Sequence, residues 1–148
     1  MALRPDRNEV VTDVSFFMNE AAERGVLVTA SSQGSGAAMD NSSAAVQVAN
    51  NTSELPVGIL LNDVVNLDLT RQHINYAKDE VQQGGKVAVL RVGTVVTDQI
   101  SGTITLGDPA HFGEDGKLVG SVTTSAQVGR FLSKKDADGF AKVAINIV

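Results

Sequence analysis

Cysteine is absent from this chain of 148 residues, and that absence excludes several kinds of chemistry. Without cysteine there is no disulfide framework, no thiolate metal site, no thiol nucleophile and no redox dithiol. A chain of this length can bury about 68–70% of its unfolded surface in one domain. It therefore needs no covalent cross-link to fold.

Long apolar runs and aromatic side chains are also scarce. No stretch approaches the roughly 18 apolar residues of a membrane span, and the N-terminal MALRPDRNEVVTDV carries charges where a secretory signal has an apolar core. We therefore expect a soluble protein that is not exported by a signal peptide. Five phenylalanines, one tyrosine and no tryptophan are a poor supply for stacking bases or sugars.

Basic residues are outnumbered by acidic ones, 12 against 17, which gives a net charge of −5 at pH 7. A negative chain repels nucleic acid and anionic lipid, so we expect neither nucleic acid nor a membrane as partner. The only basic doublet, Lys134-Lys135, is followed by Asp136 and Asp138. That pattern is typical of a solvated turn.

Valine, threonine and glycine are abundant and favour β structure with tight turns. The predicted strands cover residues 26–29, 45–48, 56–61, 86–93, 94–101, 103–106, 128–133 and 140–148. The Asp-Gly pairs at 115–116 and 138–139 predict hairpin turns. Short strands at such regular spacing predict a mainly β fold, either a small β-barrel or a β-sandwich.

The first 11 residues carry charges and few apolar side chains. This composition favours a flexible N-terminal arm, residues 1–11, that becomes ordered against a partner, although a frayed terminus explains it equally well. Residues 12–148 are then a single β-rich domain.

The segment 12–24 has two interpretations. Val14, Phe17, Met18 and Ala21 have helical spacing, whereas Val14-Ser15-Phe16 fits an extended strand. Both interpretations remain open at this stage.

A polar stretch, NLDLTRQHINYAKDEVQQGG, interrupts the pattern of strands. Its helical periodicity is weak and it ends in Gly84-Gly85, so we predict one long excursion over about 62–85. Long excursions from compact domains are often interaction elements. The excursion is therefore a second candidate, beside the arm, for contact with a partner.

Two short motifs are similar to ligand-binding loops. Gly34-Ser35-Gly36 is similar to the start of a dinucleotide fingerprint, but Met39 stands at the third glycine position and no helix-forming run follows. Asp136-Ala137-Asp138-Gly139 is similar to a calcium loop, but the late glutamate is missing. We interpret the first as a flexible loop and the second as a hairpin turn, and we expect no cofactor and no metal.

Histidines and acids offer little support for catalysis. His73 and His111 lack the spacing of a zinc site and are expected at the surface or in turns, and no GxSxG turn marks a serine nucleophile. The acidic residues that could form an acid/base pair are Asp63, Asp68, Asp79 and Glu80. We interpret them as solvated charges and predict that the protein is not an enzyme.

Three stretches carry a resemblance to a known family: RNEVVTDVSFFMNEAAERGVLV, LPVGILLNDVVNLDLTRQHINYAKDEVQQGGKVAVLRVGTVVTD and VGRFLSKKDADGFAKVAINIV. Together they resemble the capsid decoration, or cement, proteins of tailed phages. The resemblance is one of overall sequence and not of a compact motif. The resemblance implies a non-enzymatic virion protein on the outer surface of the expanded capsid. It also implies that the protein binds the major capsid protein, commonly as trimers or clusters, and stabilises the shell by bridging subunits.

Exposure and position indicate which residues would face the shell. The candidate capsid-contacting residues are Arg4, Pro5 and Arg7 in the arm and Arg71, Gln72 and Asn75 in the excursion. An alternative function is another phage structural or adhesive β module, namely a head fibre base, a tail component or a glycan-binding domain, although Tyr76 is the only tyrosine available to stack on a sugar. A carboxylate-based hydrolase comes third, and a cluster of acids in a concave pocket would favour it.

Overall fold

The computed structural model describes residues 3–32, 45–50, 53–66, 80–121 and 125–147. Within these ranges the chain forms twelve strands and one 3-10 turn at Glu114–Gly116. The strands are β1 (Asn8–Met18), β2 (Leu27–Ser32), β3 (Ala45–Val48), β4 (Pro56–Leu60), β5 (Asp63–Val65), β6 (Glu80–Gln82), β7 (Lys86–Thr97), β8 (Ile100–Ser101), β9 (Pro109–Phe112), β10 (Leu118–Val119), β11 (Gly129–Phe131) and β12 (Ala141–Asn146). The predicted mainly β fold is confirmed.

Ten of these strands form one sheet in the order β1-β3-β2-β4-β7-β12-β11-β9-β10-β8. Because β1 also pairs with β7, the strands β1, β3, β2, β4 and β7 close into a ring. The sheet then continues past β7 as an open wing. A closed ring with an attached wing combines the barrel and sandwich alternatives that the sequence left open.

β7 is the strand shared by the ring and the wing. Its first half pairs with β4 through Leu90 and Val89, and its second half pairs with β12 from Val92 to Thr97. β1 runs antiparallel along the other edge of β7, from Asn8 opposite Thr94 to Phe17 opposite Lys86. Twelve residues of one strand therefore hold both parts of the fold together.

The core is divided into two clusters of buried apolar side chains. The wing cluster contains Phe112, Phe131 and Ile145, and the ring cluster contains Met18 and Val28. β7 contributes to both, with Leu90 and Val95 in the wing cluster and Val87 and Val89 in the ring cluster. A single valine-rich strand therefore supplies apolar side chains to both cores.

The break predicted at Gly93, between strands 86–93 and 94–101, is wrong. The chain continues as one strand because Gly93 lets β1 approach closely: an added Cβ would overlap the carbonyl oxygen of Asn8. Gly93 also has a positive φ of 153°, which favours glycine. The glycine marks a close strand contact and not a turn.

The structure also decides the predictions for segments 12–24 and 103–106. The segment 12–24 enters as a strand up to Met18, since the backbone of β1 finds its partners on β7 and the helical spacing is overridden. The strand predicted at 103–106 is wrong, because Thr105 donates its backbone N–H and its hydroxyl to the carboxylate of Asp108 and turns the chain. Local side-chain bonds of this kind compete with strand pairing.

The hairpin turn predicted around Asp115-Gly116 is confirmed. Asp115 and Gly116 have positive φ values of 59° and 68°, and Phe112 pairs with Leu118 across the turn. Aspartate and glycine are the residues that tolerate this backbone conformation.

Both ends of the predicted excursion are paired. β5 and β6 form a separate parallel pair in which Val64 lies opposite Val81, and Ala22 bridges to Val64. Residues 67–79, the middle of the predicted excursion, lie outside the described residues, as do residues 33–44, which include the predicted loop at Gly34-Ser35-Gly36. In the described part of the chain, no helix has the length and apolar character to cross a membrane.

Substitution of Gly93 by alanine tests the close contact between β1 and β7. We expect Gly93→Ala to lower the free energy of unfolding by about 3 kcal/mol, because the new Cβ must displace β1. Gly102→Ala is the matched control, since Gly102 also has a positive φ but an added Cβ there meets nothing within 4 Å; its loss should be about 1 kcal/mol. Equal losses in denaturant unfolding would contradict the steric explanation.

Candidate functional site

The first described residues dock against the end of β7. Leu3 is only 2% exposed and bridges to Thr97, and the backbone N–H of Arg4 donates to the carbonyl of Val96 at 3.0 Å. Residues 3–4 therefore extend the line of β1 along β7. The flexibility of the arm, residues 1–11, stays a prediction, but Leu3 packs in the wing cluster.

The side chain of Arg4 is held by a group that we call the arm clamp, consisting of Asp136, Asp138 and Phe140. Arg4 Nη1 lies 3.0 Å from Asp136 Oδ2, and Nη2 lies 3.1 Å from Asp138 Oδ2. The guanidinium carbon also lies 4.2 Å from the centre of the Phe140 ring. The planar fork of arginine suits this arrangement of two carboxylates and an aromatic face.

Asp136 also organises the turn that carries the clamp. Its Oδ1 accepts hydrogen bonds from the backbone N–H groups of Asp138 and Phe140, both at 2.9 Å, and Gly139 completes the turn with a φ of 85°. The bond from the Phe140 amide is the main cause of a lowered pKa of Asp136, and the bond from Asp138 and the charge of Arg4 act in the same direction. The hairpin interpretation of residues 136–139 is confirmed.

The sequence pointed to the turn but not to the clamp. Arg4 and Asp138 are 134 residues apart, so no local pattern links them. The sequence showed the charged arm and the Asp-x-Asp-Gly turn as separate features, but nothing in it indicated that they contact each other. Among the described residues, no three His, Cys, Asp or Glu side chains are arranged so that they could hold a metal ion.

The remaining candidate contact residues have different placements. Pro5 directly follows Arg4 and is exposed, and Arg7 is also exposed, with its Nε 2.7 Å from Glu9 Oε1. The other three candidates lie outside the described residues: Arg71, Gln72 and Asn75. As shell-facing residues, all six candidates stay predictions.

Two of the four acids considered for catalysis come together. Asp63 and Glu80 are opposite each other in the β5–β6 pair, and with Glu23 they line a cleft of about 500 Å³. Asp63 has a structural partner, because its Oδ1 accepts the backbone N–H of Arg24 at 2.8 Å. The other residues of the lining are alanines and valines, and Asp68 and Asp79 lie outside the described residues.

His111 does not lie at the surface as expected. It is buried on β9, where its Nδ1 lies 2.9 Å from the carbonyl oxygen of Ser125, and Ser125 Oγ accepts the backbone N–H of Phe112. Since a carbonyl oxygen only accepts, Nδ1 is the donor in this hydrogen bond. The partner comes from a later segment, which the sequence around His111 does not reveal, and His73 lies outside the described residues.

β1 carries a second surface that the sequence analysis missed. Its three exposed valines, Val10, Val11 and Val14, are called the β1 valines here; Val10 is 64% and Val14 60% exposed. Because a strand buries alternate residues on one face, apolar residues on an exposed strand are a signal that was available once β1 was known. Exposed apolar side chains grouped on one element mark contact surfaces.

A β-ring with an open wing, a clamped N-terminal segment and exposed valines on its first strand defines a β-rich structural module. The fold is similar to that in the crystal structure of the head fiber gp8.5 N base in bacteriophage phi29, with a TM-score of 0.50 and 14% sequence identity, over 92% of this chain and 93% of that one. At this identity the likeness shows the fold alone. No curated protein matches the chain.

The family is shown by sequence. The model of the family described as structural cement protein (E217 gp24/Pam3 gp6) matches residues 7–146, and the chain therefore belongs to that family of phage structural proteins. The resemblance noted from the sequence is confirmed. The protein is a structural component of a phage virion.

Truncation of Leu3 tests how firmly the arm is docked. We expect Leu3→Ala to reduce the free energy of unfolding by about 2–3 kcal/mol, since a buried leucine is lost and a cavity is left. Val10→Ala, an exposed position, is the control and should change stability by less than about 0.5 kcal/mol. If the two variants unfold at the same denaturant concentration, the arm does not contribute to the core.

The turn at Asp136 predicts a dependence on pH. Because the pKa of folded Asp136 is lowered from 3.8, its stabilising effect is complete above that unfolded value and is lost as the pH falls through the folded pKa. We expect Asp136→Asn to remove this part of the acid dependence of the melting temperature. Ser121→Ala is a neutral control at an exposed position, and an unchanged acid profile in Asp136→Asn would contradict the prediction.

Proposed function

We propose that the protein binds the outer surface of the expanded capsid and stabilises it by bridging neighbouring subunits of the major capsid protein. It acts as a trimer or cluster of copies and catalyses no reaction. The observation that carries the proposal is the match of the cement family to residues 7–146, because it covers nearly all of the folded domain and not one fragment of it.

The geometry supports bridging because the start of the arm and the described C-terminal end of the excursion lie at opposite ends of β7. The arm is fixed at Val96 and Thr97, whereas the excursion returns through β6 and Gly85 directly before Lys86. A strand rises about 3.3 Å per residue, so these ends are separated by up to roughly 36 Å. Contacts that far apart can reach different subunits of a shell.

Bridging does not require tight single contacts. Two linked contacts raise the overall avidity by roughly 10²–10⁴ over either one alone, provided that both can form at once. The clamp on Arg4 favours this, since it anchors the start of the arm, directly before Pro5, to the domain before binding. A fixed contact loses less conformational entropy on binding than a free arm would.

We also propose that the protein is not an enzyme, and the cleft lined by Glu23, Asp63 and Glu80 bears on this point. Asp63 accepts the backbone N–H of Arg24, which gives this carboxylate a structural role. The neighbouring cleft residues Ala22 and Val64 form a backbone bridge. The cleft therefore has a structural explanation as the junction between β5 and the segment that leads into β2.

Co-sedimentation with expanded capsids that lack the protein tests the proposal. The wild type should bind at a fixed ratio to the shell subunit and saturate. The triple variant Arg71→Ala/Gln72→Ala/Asn75→Ala should bind at least about tenfold more weakly, which corresponds to about 1.4 kcal/mol. Arg130→Ala, an exposed arginine on β11, is the matched control and should bind like the wild type.

Bridging itself requires a second measurement. Shells saturated with the wild type should withstand a higher temperature before rupture than bare shells, because each bound copy joins subunits that otherwise separate. Binding without any gain in rupture temperature would contradict bridging and favour an adhesive or fibre-base role. No binding to expanded shells would overturn the proposal.

A further inference from the structure

A small cleft opens at the end of the ring where β4 begins. It has a volume of about 170 Å³ and is lined by Phe16, Leu55, Pro56, Val57 and Arg91. Val57 belongs to the ring cluster and Phe16 packs against it, whereas Leu55 is 69% exposed. The cleft is therefore an apolar opening into the ring cluster, with one cation on its wall.

Arg91 stands out in this cleft because no described residue compensates its charge. Its backbone carbonyl accepts a hydrogen bond from Ile147, but across the described ranges its guanidinium has no salt bridge and no hydrogen bond. The residue is only partly exposed. A partly buried guanidinium gains most from a carboxylate that approaches through an apolar rim.

The size of the cleft argues for a protein side chain as its occupant. Pockets for cofactors and drug-sized ligands have volumes of about 300–1,000 Å³, well above the 170 Å³ found here. One or two aliphatic side chains, with an acidic group beside them, fit the volume and the charge. A segment in which valines alternate with acids has this chemistry.

The chain itself displays such a segment. The β1 valines are exposed and are flanked by the carboxylates of Glu9 and Asp13. Within each copy Glu9 is paired with Arg7, and Asp13 accepts hydrogen bonds from Ser15 through its Oδ1. Each carboxylate keeps further acceptor sites. The segment therefore offers aliphatic side chains for the apolar lining and acceptor oxygens for Arg91. Charge and apolar surface are thus complementary between β1 of one copy and the cleft of another.

We propose that the cleft around Arg91 receives the β1 valines of a second copy of this chain, with an acidic group of β1 facing Arg91. The two surfaces are neighbours on each copy, because Val11 pairs with Val92 and Thr12 with Leu90, on either side of Arg91. Two copies can therefore make the same contact reciprocally, as in interfaces with twofold symmetry. The inference rests on the proposed function and deepens it, because it names a contact that joins copies in pairs within a cluster.

Sedimentation velocity of the purified full chain, from micromolar to millimolar concentration, tests the contact without a capsid. The wild type should associate reversibly. Arg91→Glu should weaken the association at least about tenfold, since the cation becomes an anion facing an acidic segment. Arg130→Glu has the same change of charge at an exposed position on β11 and should associate like the wild type.

A variant on the opposite surface keeps the test independent of the folding of Arg91→Glu. Val14→Lys replaces an exposed side chain, so it should fold normally, and it should also weaken association by placing a cation against Arg91. A mixture of Val14→Lys with Arg91→Glu should associate more strongly than either variant alone, because lysine then meets glutamate. Melting temperatures close to that of the wild type verify the folds.

The outcomes separate this inference from the proposed function. A wild type that stays monomeric, or variants of Arg91 and Arg130 that associate equally, would overturn the contact even if the protein still binds and strengthens capsids. Association that depends on Arg91 and Val14 supports the contact even if binding to capsids fails.

Discussion

The pairing of β1 with β7 is the interaction on which the rest of the structure depends. β1 closes the ring by pairing with the first half of β7. Its pairing continues to Thr94, within the half of β7 that pairs with β12 in the wing. The apolar side chains of β7 enter both core clusters, so a loss of this pairing exposes both at once. Since burial of apolar surface is the dominant favourable term in folding, the two clusters are expected to unfold together although they are separate in space.

The same pairing determines what the surface can do. Continuing past β1, Leu3 and Arg4 follow β7 to its end, where the clamp of Asp136, Asp138 and Phe140 stands on the turn before β12. The arm is therefore positioned by a long strand and by a turn from the other end of the chain. This arrangement determines where the start of the arm lies on the surface of the domain.

Local signals predicted the strands well wherever alternation or a turn motif was sufficient. The strand at 45–48 and the hairpin at Asp115-Gly116 were found from the sequence, and the cement family was identified from it. The predictions that failed depend on non-local partners. Gly93 was predicted to end a strand, but its role is to allow the close approach of β1. His111 was expected at the surface or in a turn, but it is buried because the carbonyl oxygen of Ser125 accepts its hydrogen bond. The clamp on Arg4 joins residues whose separation in sequence leaves no local pattern at all.

The unpaired edge of β1 could lead to uncontrolled pairing with other strands, and the sequence of β1 counteracts this. Over most of its length, among the described residues, only one edge of β1 is paired, and a free strand edge can recruit other strands without limit. Its register with β7 shifts three times, and Asp13 accepts both the backbone N–H and the hydroxyl of Ser15. Bulges and occupied donors hinder the addition of another strand. Contacts through the side chains of Val10 and Val14 remain possible, so β1 is suited to limited association between copies and not to open-ended sheet growth.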